Sequence, residues 1–110
     1  MRFEVLSGLS IIGHTELECG DPPMGVAEGI FYPLAAYTNI QTDVVATRES
    51  SQDHLNITIR LIGGETVIPI FIKIEDYSQE LDEIWIAACG IDHVQYERLF
   101  PSLYNKYFGS

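Results

Sequence analysis

Short runs in which apolar and polar residues alternate dominate the chain, and helical spacing replaces them in only a few places. Leu55, Ile57, Ile59 and Leu61 alternate with Asn56, Thr58 and Arg60. After Gly63-Gly64, Ile68, Ile70, Ile72 and Ile74 alternate with Pro69, Phe71, Lys73 and Glu75. The pattern predicts a hairpin with one face toward a core. Pro69 has no N–H to donate, which puts its strand at an edge or gives it a bulge. Ile84 to Cys89 is apolar on both faces and reads as a more central strand. Arg2–Leu6 and Leu9–Gly13 read as two strands joined at Ser7-Gly8. The second is expected to continue to Cys19, with His14, Glu16 and Glu18 on one face and Thr15, Leu17 and Cys19 behind.

Between these strands lies turn and helix chemistry. Gly20-Asp21-Pro22-Pro23-Met24-Gly25 is turn-forming throughout, because each proline restricts its own φ and disfavours the helical region for the residue before it. An extended piece from Val26 to Tyr32 follows. Pro33 suits a first helical position, and Leu34, Tyr37 and Ile40 recur every three residues, predicting a short helix over 33–41. The polar stretch Thr47 to His54 reads as a surface loop. Asp92 is a good N-cap, and Gln95 completes a capping-box pattern. Val94, Leu99 and Phe100 mark the apolar side of that helix, and Pro101 should break or kink it. Leu103, Tyr104, Tyr107 and Phe108 are expected to serve as core and cover. About five or six strands and two or three short helices, arranged in blocks, predict a single α+β domain over 1–110 with a mainly antiparallel sheet.

Size permits this. A chain of 110 residues buries about two-thirds of its unfolded surface, enough for a core without staples. Two cysteines cannot build a disulfide framework, and Cys19 and Cys89 are expected to be free thiols. The first residues have no apolar signal core, and no apolar run approaches the roughly 20 residues of a membrane helix. The expected compartment is the cytoplasm.

Charge changes the picture most. Sixteen acids against six bases leave a net charge of −10. Gripping nucleic acid or an anionic membrane needs Lys and Arg to displace counterions, so both are disfavoured as direct partners. A basic protein partner is favoured.

Catalytic chemistry finds little support. The chain contains no GxGxxG, Walker loop, CxxC, HExxH or GxSxG. His14, Glu16 and Glu18 could form half a metal site, but His54 and His93, the candidates to complete it, are remote; a solvated strand face is the plainer reading. Asp92-His93 could be an acid–base pair, yet Asp92 already serves as a cap. Cys19 has Glu18 and Asp21 beside it, which disfavour a thiolate. No enzymatic turnover, cofactor or metal is expected. The Asp21–Ala27 stretch could be a rigid recognition loop; the structural reading turns Met24 and Val26 inward as a shaped connection.

The strongest lead is the run Glu75, Asp76, Tyr77, Glu80, Asp82 and Glu83, five carboxylates and a tyrosine with no base among them. Most charge runs are solvated loops. Like charges on one loop repel, however, and opposite a cationic cleft they steer encounter and reject wrong partners. A tyrosine among them can anchor.

Two stretches together carry a resemblance. One is Asp21-Pro22-Pro23-Met24-Gly25-Val26-Ala27 continuing through Phe31, Pro33, Tyr37 and Ile40-Gln41. The other is Gly90-Ile91 through Tyr96, Leu99-Phe100-Pro101 and Tyr107. The chain resembles a group of small acidic bacterial proteins and, by type, the immunity proteins of contact-dependent inhibition and other polymorphic toxin systems. The resemblance implies a non-enzymatic inhibitor that neutralises one cognate toxin, often a basic nuclease, in a one-to-one complex. The six residues of the acidic run would then cover the toxin's active-site groove. The alternative is a small-molecule-binding or enzymatic α+β domain with a pocket around His14, Glu16, Asp92 and His93.

Overall fold

A computed structural model describes residues 2–109. Seven strands form one antiparallel sheet: β1 (Phe3–Ser7), β2 (Ser10–Thr15), β3 (Cys19–Asp21), β4 (Val26–Pro33), β5 (Ile57–Leu61), β6 (Phe71–Tyr77) and β7 (Glu83–Cys89). Their order is β5-β1-β2-β4-β7-β6, with β3 pairing against the first residues of β4. Three short helices, α1 (Gln41–Ala46), α2 (His93–Leu99) and α3 (Pro101–Phe108), complete the α+β domain, together with 3-10 turns at Pro22–Met24, Ala35–Asn39 and Asp53–Leu55.

The expected β1–β2 hairpin forms, with Gly8 in the left-handed region at its turn. The register shifts between Val5 and Leu6, and Ile12 is carried into the core. The expected extension of β2 to Cys19 does not form. Leu17 adopts φ 46 and is buried, so the chain turns sideways after Thr15 and restarts as β3. Glu18 fills the gap in the ladder: its Oε2 accepts the Ile30 N–H at 3.2 Å. Gly29 permits this approach, since a Cβ there would collide with the Glu18 carboxylate.

The predicted hairpin between the two isoleucine-rich strands is also overturned. β5 pairs with β1, and β6 pairs with β7. Between β5 and β6 only the bridge Arg60↔Thr66 survives around the Gly63-Gly64 turn. The rest of residues 65–70 forms a strap crossing from one sheet edge to the other. Val67 N–H donates to Ile59 O at 2.8 Å, and Ile70 N–H donates to Cys89 O at 2.8 Å. Pro69 lies in the strap and not in a strand; β6 is nonetheless an edge strand. The apolar β7 is interior, between β4 and β6, as its two-faced pattern predicts.

Pro33 closes β4, pairing with Gly13, and starts no helix. The predicted helix over 33–41 is replaced by the 3-10 turn at Ala35–Asn39, which buries Tyr37, and then by α1. Leu34, expected in the buried stripe, is 42% exposed.

One face of the sheet carries the core. Phe3, Ile12, Phe31, Ile59, Ile74 and Ile86 meet Tyr37, Val44, Tyr96 and Leu99 from the helical segments. Burying each large side chain of this kind contributes about 1.5–3 kcal/mol. Phe31 and Tyr37 pack edge to face at 5.1 Å, and Tyr96 lies 5.1 Å from Phe100, which in turn lies 5.6 Å from Phe3. Asp92 caps α2 as expected, accepting Gln95 N–H at 2.9 Å. The Gln95 side chain does not return the bond. It holds the strap instead, donating to Thr66 O and accepting from Ile68 N–H. Pro101 separates α2 from α3. Tyr107 and Phe108 remain exposed, with the Phe108 ring tilted against those of Tyr104 and His93 at centroid distances of 4.7 Å and 5.6 Å.

Candidate partner-binding face

Alternation fixes which side chains share the opposite, outer face of the sheet. On β6 they are Lys73, Glu75 and Tyr77; on β7, Glu83, Trp85 and Ala87; on β4, Glu28, Ile30 and Tyr32. Glu75 stands directly across from Trp85, Tyr77 from Glu83, and Ile30 from Trp85 on its other side. Trp85 is half-buried and donates Nε1–H to Glu83 Oε2 at 3.1 Å. Trp85 thus stands between apolar Ile30 on one flank and Glu75 on the other, on the sheet face opposite the one that carries Ile74, Ile84 and Ile86 into the core.

The six residues of the acidic run separate into three environments. Glu75 and Glu83 belong to this outer face, and Asp82 occupies the exposed turn beyond it with φ 58. None of these three pairs with a cation among the described residues. Tyr77 and Glu80 are already engaged by Arg48, which arrives from the loop after α1. Its guanidinium carbon lies 4.7 Å from the Tyr77 ring centroid, and Nη1 meets Glu80 Oε2 at 2.7 Å. That bond raises the Arg48 pKa.

Asp76 is a correction. It is 1% exposed and cannot meet a partner. Tyr37 Oη donates to its Oδ2 at 2.7 Å, Gln41 Nε2 to the same oxygen at 3.1 Å, and Ser78 N–H and Oγ–H to Oδ1. Burial pushes the carboxyl up, but the hydrogen bonds from Ser78, Tyr37 and Gln41 outweigh it and hold the pKa below its ordinary value. Asp76 therefore organises the acidic turn from beneath. Its parity on β6, shared with Ile72 and Ile74, turns it inward.

The DPPMG stretch follows the structural reading with one change. Pro22 is buried, but Met24 is 68% exposed and not inward. The 3-10 turn swings Met24 outward, and Gly25 at φ 66 closes against the next layer. Its carbonyl accepts N–H groups from both Gly90 and Ile91, where a Cβ on Gly25 would collide with Ile91.

The residues of the alternative pocket do not converge. His14 lies on the outer face opposite Glu4. His93 packs with Tyr104 on the helical side. Glu16 borders a cavity of about 240 Å³ with Arg2, whereas Asp92 and His93 border a different one of about 390 Å³ beside Arg98. No group of three or more His, Cys, Asp or Glu side chains suited to a metal occurs among the described residues. Cys19 and Cys89 are free thiols, and no described helix is long and apolar enough to cross a membrane.

Sequence reasoning missed Trp85 and Glu28 as companions of the acidic run on one sheet face. The apolar stretch around Trp85 signals only a buried strand, and nothing in it names the strands on either side. No family model, no curated protein and no solved structure matches the chain.

Proposed function

We propose that this chain is an inhibitor of the immunity type. It binds one basic protein partner, a toxin of the nuclease class, and covers its cationic active-site groove one to one in the cytoplasm. It performs no turnover. The contact surface is the outer face of β4, β7 and β6 with the turn that follows β6. Trp85 is the anchor, and Glu75, Asp82 and Glu83 stand in for substrate phosphates, with Glu28 at the margin.

The observation that carries this reading is Glu75 and Glu83 around the half-buried Trp85 on the sheet face away from the core. Glu75 and Glu83 are diagonal neighbours across β6 and β7, close enough for long side chains to sense each other. Their repulsion opposes folding, and no internal cation relieves it among the described residues. A half-buried aromatic flanked by such carboxylates matches the anchor-and-rim pattern of protein interfaces. The net charge of −10 supplies long-range steering toward a basic partner.

The test is co-purification from the native cell, followed by nuclease assays of the captured polypeptide. Added at a one-to-one ratio, the chain should abolish that activity, with an association rate that falls as salt rises. The double variant Glu75→Lys, Glu83→Lys should lose protection while remaining folded. Undiminished protection by that variant would overturn the assignment.

A further inference from the structure

We propose that the cleft between β5 and β6 receives an extended segment of the basic partner as an added strand, whose main chain pairs with the free peptide groups of Ile57 and Ile72. The inference rests on the inhibitor reading for the identity of the partner, and on backbone geometry for the site.

β5 and β6 are the two ends of the strand order, so each has one edge with no neighbouring strand; the strap and the side chains of Gln52 and Arg48 occupy part of those edges. A cavity of about 530 Å³ lies between those edges and is lined by both, with residues of the strap along it. In an antiparallel strand, alternate residues direct both N–H and C=O away from the paired neighbour. On β6 these are Ile72, Ile74 and Asp76. Ile74 is satisfied by a side chain acting as a strand would: Gln52 Oε1 accepts its N–H at 2.7 Å, and Gln52 Nε2 donates to its C=O at 2.9 Å. The Asp76 carbonyl accepts from Arg48 at 2.8 Å. Ile72 is next in that row and meets no such partner among the described residues.

β5 repeats the arrangement. Its outward residues are Ile57, Ile59 and Leu61. Leu61 N–H donates to Glu65 O, and Ile59 O accepts from Val67, both at 2.8 Å. Ile57 is next and is likewise unpartnered among the described residues. Both Ile57 and Ile72 line the same cavity. Free peptide groups at a strand edge are a template for a further strand.

The surroundings specify the occupant. Ile68, Ile70 and Phe71 are 70%, 83% and 48% exposed at the cleft and offer apolar contact to alternate side chains. Asp53 lines the cleft, and Glu49 lines the groove that continues from it past Gln52. Lys73, the cation in that groove, is tied by Nζ to the carbonyls of Arg48 and Ser50. A segment alternating apolar with Lys or Arg residues fits both the edge and the charge. A second copy of this chain would bring −10 against −10.

The probe is an acetylated, amidated Lys-Val-Lys-Val-Lys-Val peptide, with its N-methylated form and a Glu-Val counterpart as controls. Amide exchange is followed by NMR on the whole protein. Without peptide, Ile57 and Ile72 N–H should exchange faster than Ile74 N–H, which Gln52 holds. Saturating Lys-Val peptide should slow Ile57 and Ile72 exchange at least tenfold, and the controls should not. Thr58→Arg, an exposed substitution on the cleft wall, should weaken the peptide at least tenfold with the fold intact. Equal protection by the Glu-Val peptide, or shifts confined to Trp85 and Glu75, would overturn the proposal. This arm uses no toxin, so its failure is separable from a failure of the inhibitor reading, which is read on Glu75→Lys, Glu83→Lys.

Discussion

Tyr37 and Asp76, 39 residues apart in sequence, meet in a hydrogen bond of 2.7 Å from which solvent is almost excluded. The pair joins the 3-10 turn after β4 to the end of β6 and sets the base of the acidic turn. Tyr37→Phe removes a donor from a buried carboxylate and should cost about 1–3 kcal/mol in denaturant unfolding. A cost below about 0.5 kcal/mol would show that the remaining donors suffice.

The same pair gives a pH dependence with two signs. The Asp76 pKa is depressed in the folded state, so its contribution is present above the unfolded value of about 3.9 and is lost as pH falls below it. Burial, aided by Asp76, raises the Tyr37 pKa, and burial raises Tyr96 to about 12. Their contribution is full below the unfolded value of about 10 and is lost as pH climbs beyond it. Ultraviolet titration should find Tyr37 and Tyr96 silent near pH 10 while the circular dichroism stays native. Ionisation of Tyr37 and Tyr96 near pH 10 in a native fold would contradict the buried geometry.

Gln52 is the buried side chain that closes the edge of β6 at Ile74. Gln52→Leu keeps the bulk but strands the Ile74 N–H and C=O, at about 1–3 kcal/mol for each group left unsatisfied. Thermal unfolding should register the loss, and amide exchange at Ile74 should accelerate to match Ile72. Unchanged protection of Ile74 would mean that another group holds it.

On the outer face, stability and function should diverge. Glu75→Lys turns the repulsion with Glu83 into attraction across β6 and β7. Unfolding should show stability unchanged or raised by a few tenths of a kcal/mol. Partner association should slow sharply. A variant that loses both together would point to a structural duty for Glu75.

The thiols supply a check on the strand arrangement. Cys19 is exposed on β3, while Cys89 is half-buried and its pKa is raised by burial, then by Glu28 and Glu75. A thiol reagent at mild alkaline pH should label Cys19 first and Cys89 slowly, and unfolding should equalise them. Equal native rates would place Cys89 elsewhere.

Local chemistry was legible in the chain wherever the information is carried by neighbouring residues. Ser7-Gly8 sets a hairpin because its strands are adjacent. Asp92 caps α2 because its acceptor reaches Gln95 N–H within one turn. The two-faced apolar run of β7 marks an interior strand, and the alternation in blocks marks an antiparallel α+β sheet. Partner choice among strands was not legible. A period of two tells each residue which face it occupies but not which strand lies beside it, so β5 and β6, adjacent in sequence, end at opposite edges. That separation opens the cleft and brings Glu75 beside Trp85, and burial on the core side takes Asp76 out of the acidic surface. Pro33 followed the same logic: its fixed φ suits a helix start or a strand end, and pairing with Gly13 decided between them. Composition alone determined the excess of negative charge; only the packing of one sheet face against the helices decided which carboxylates remain free to use it.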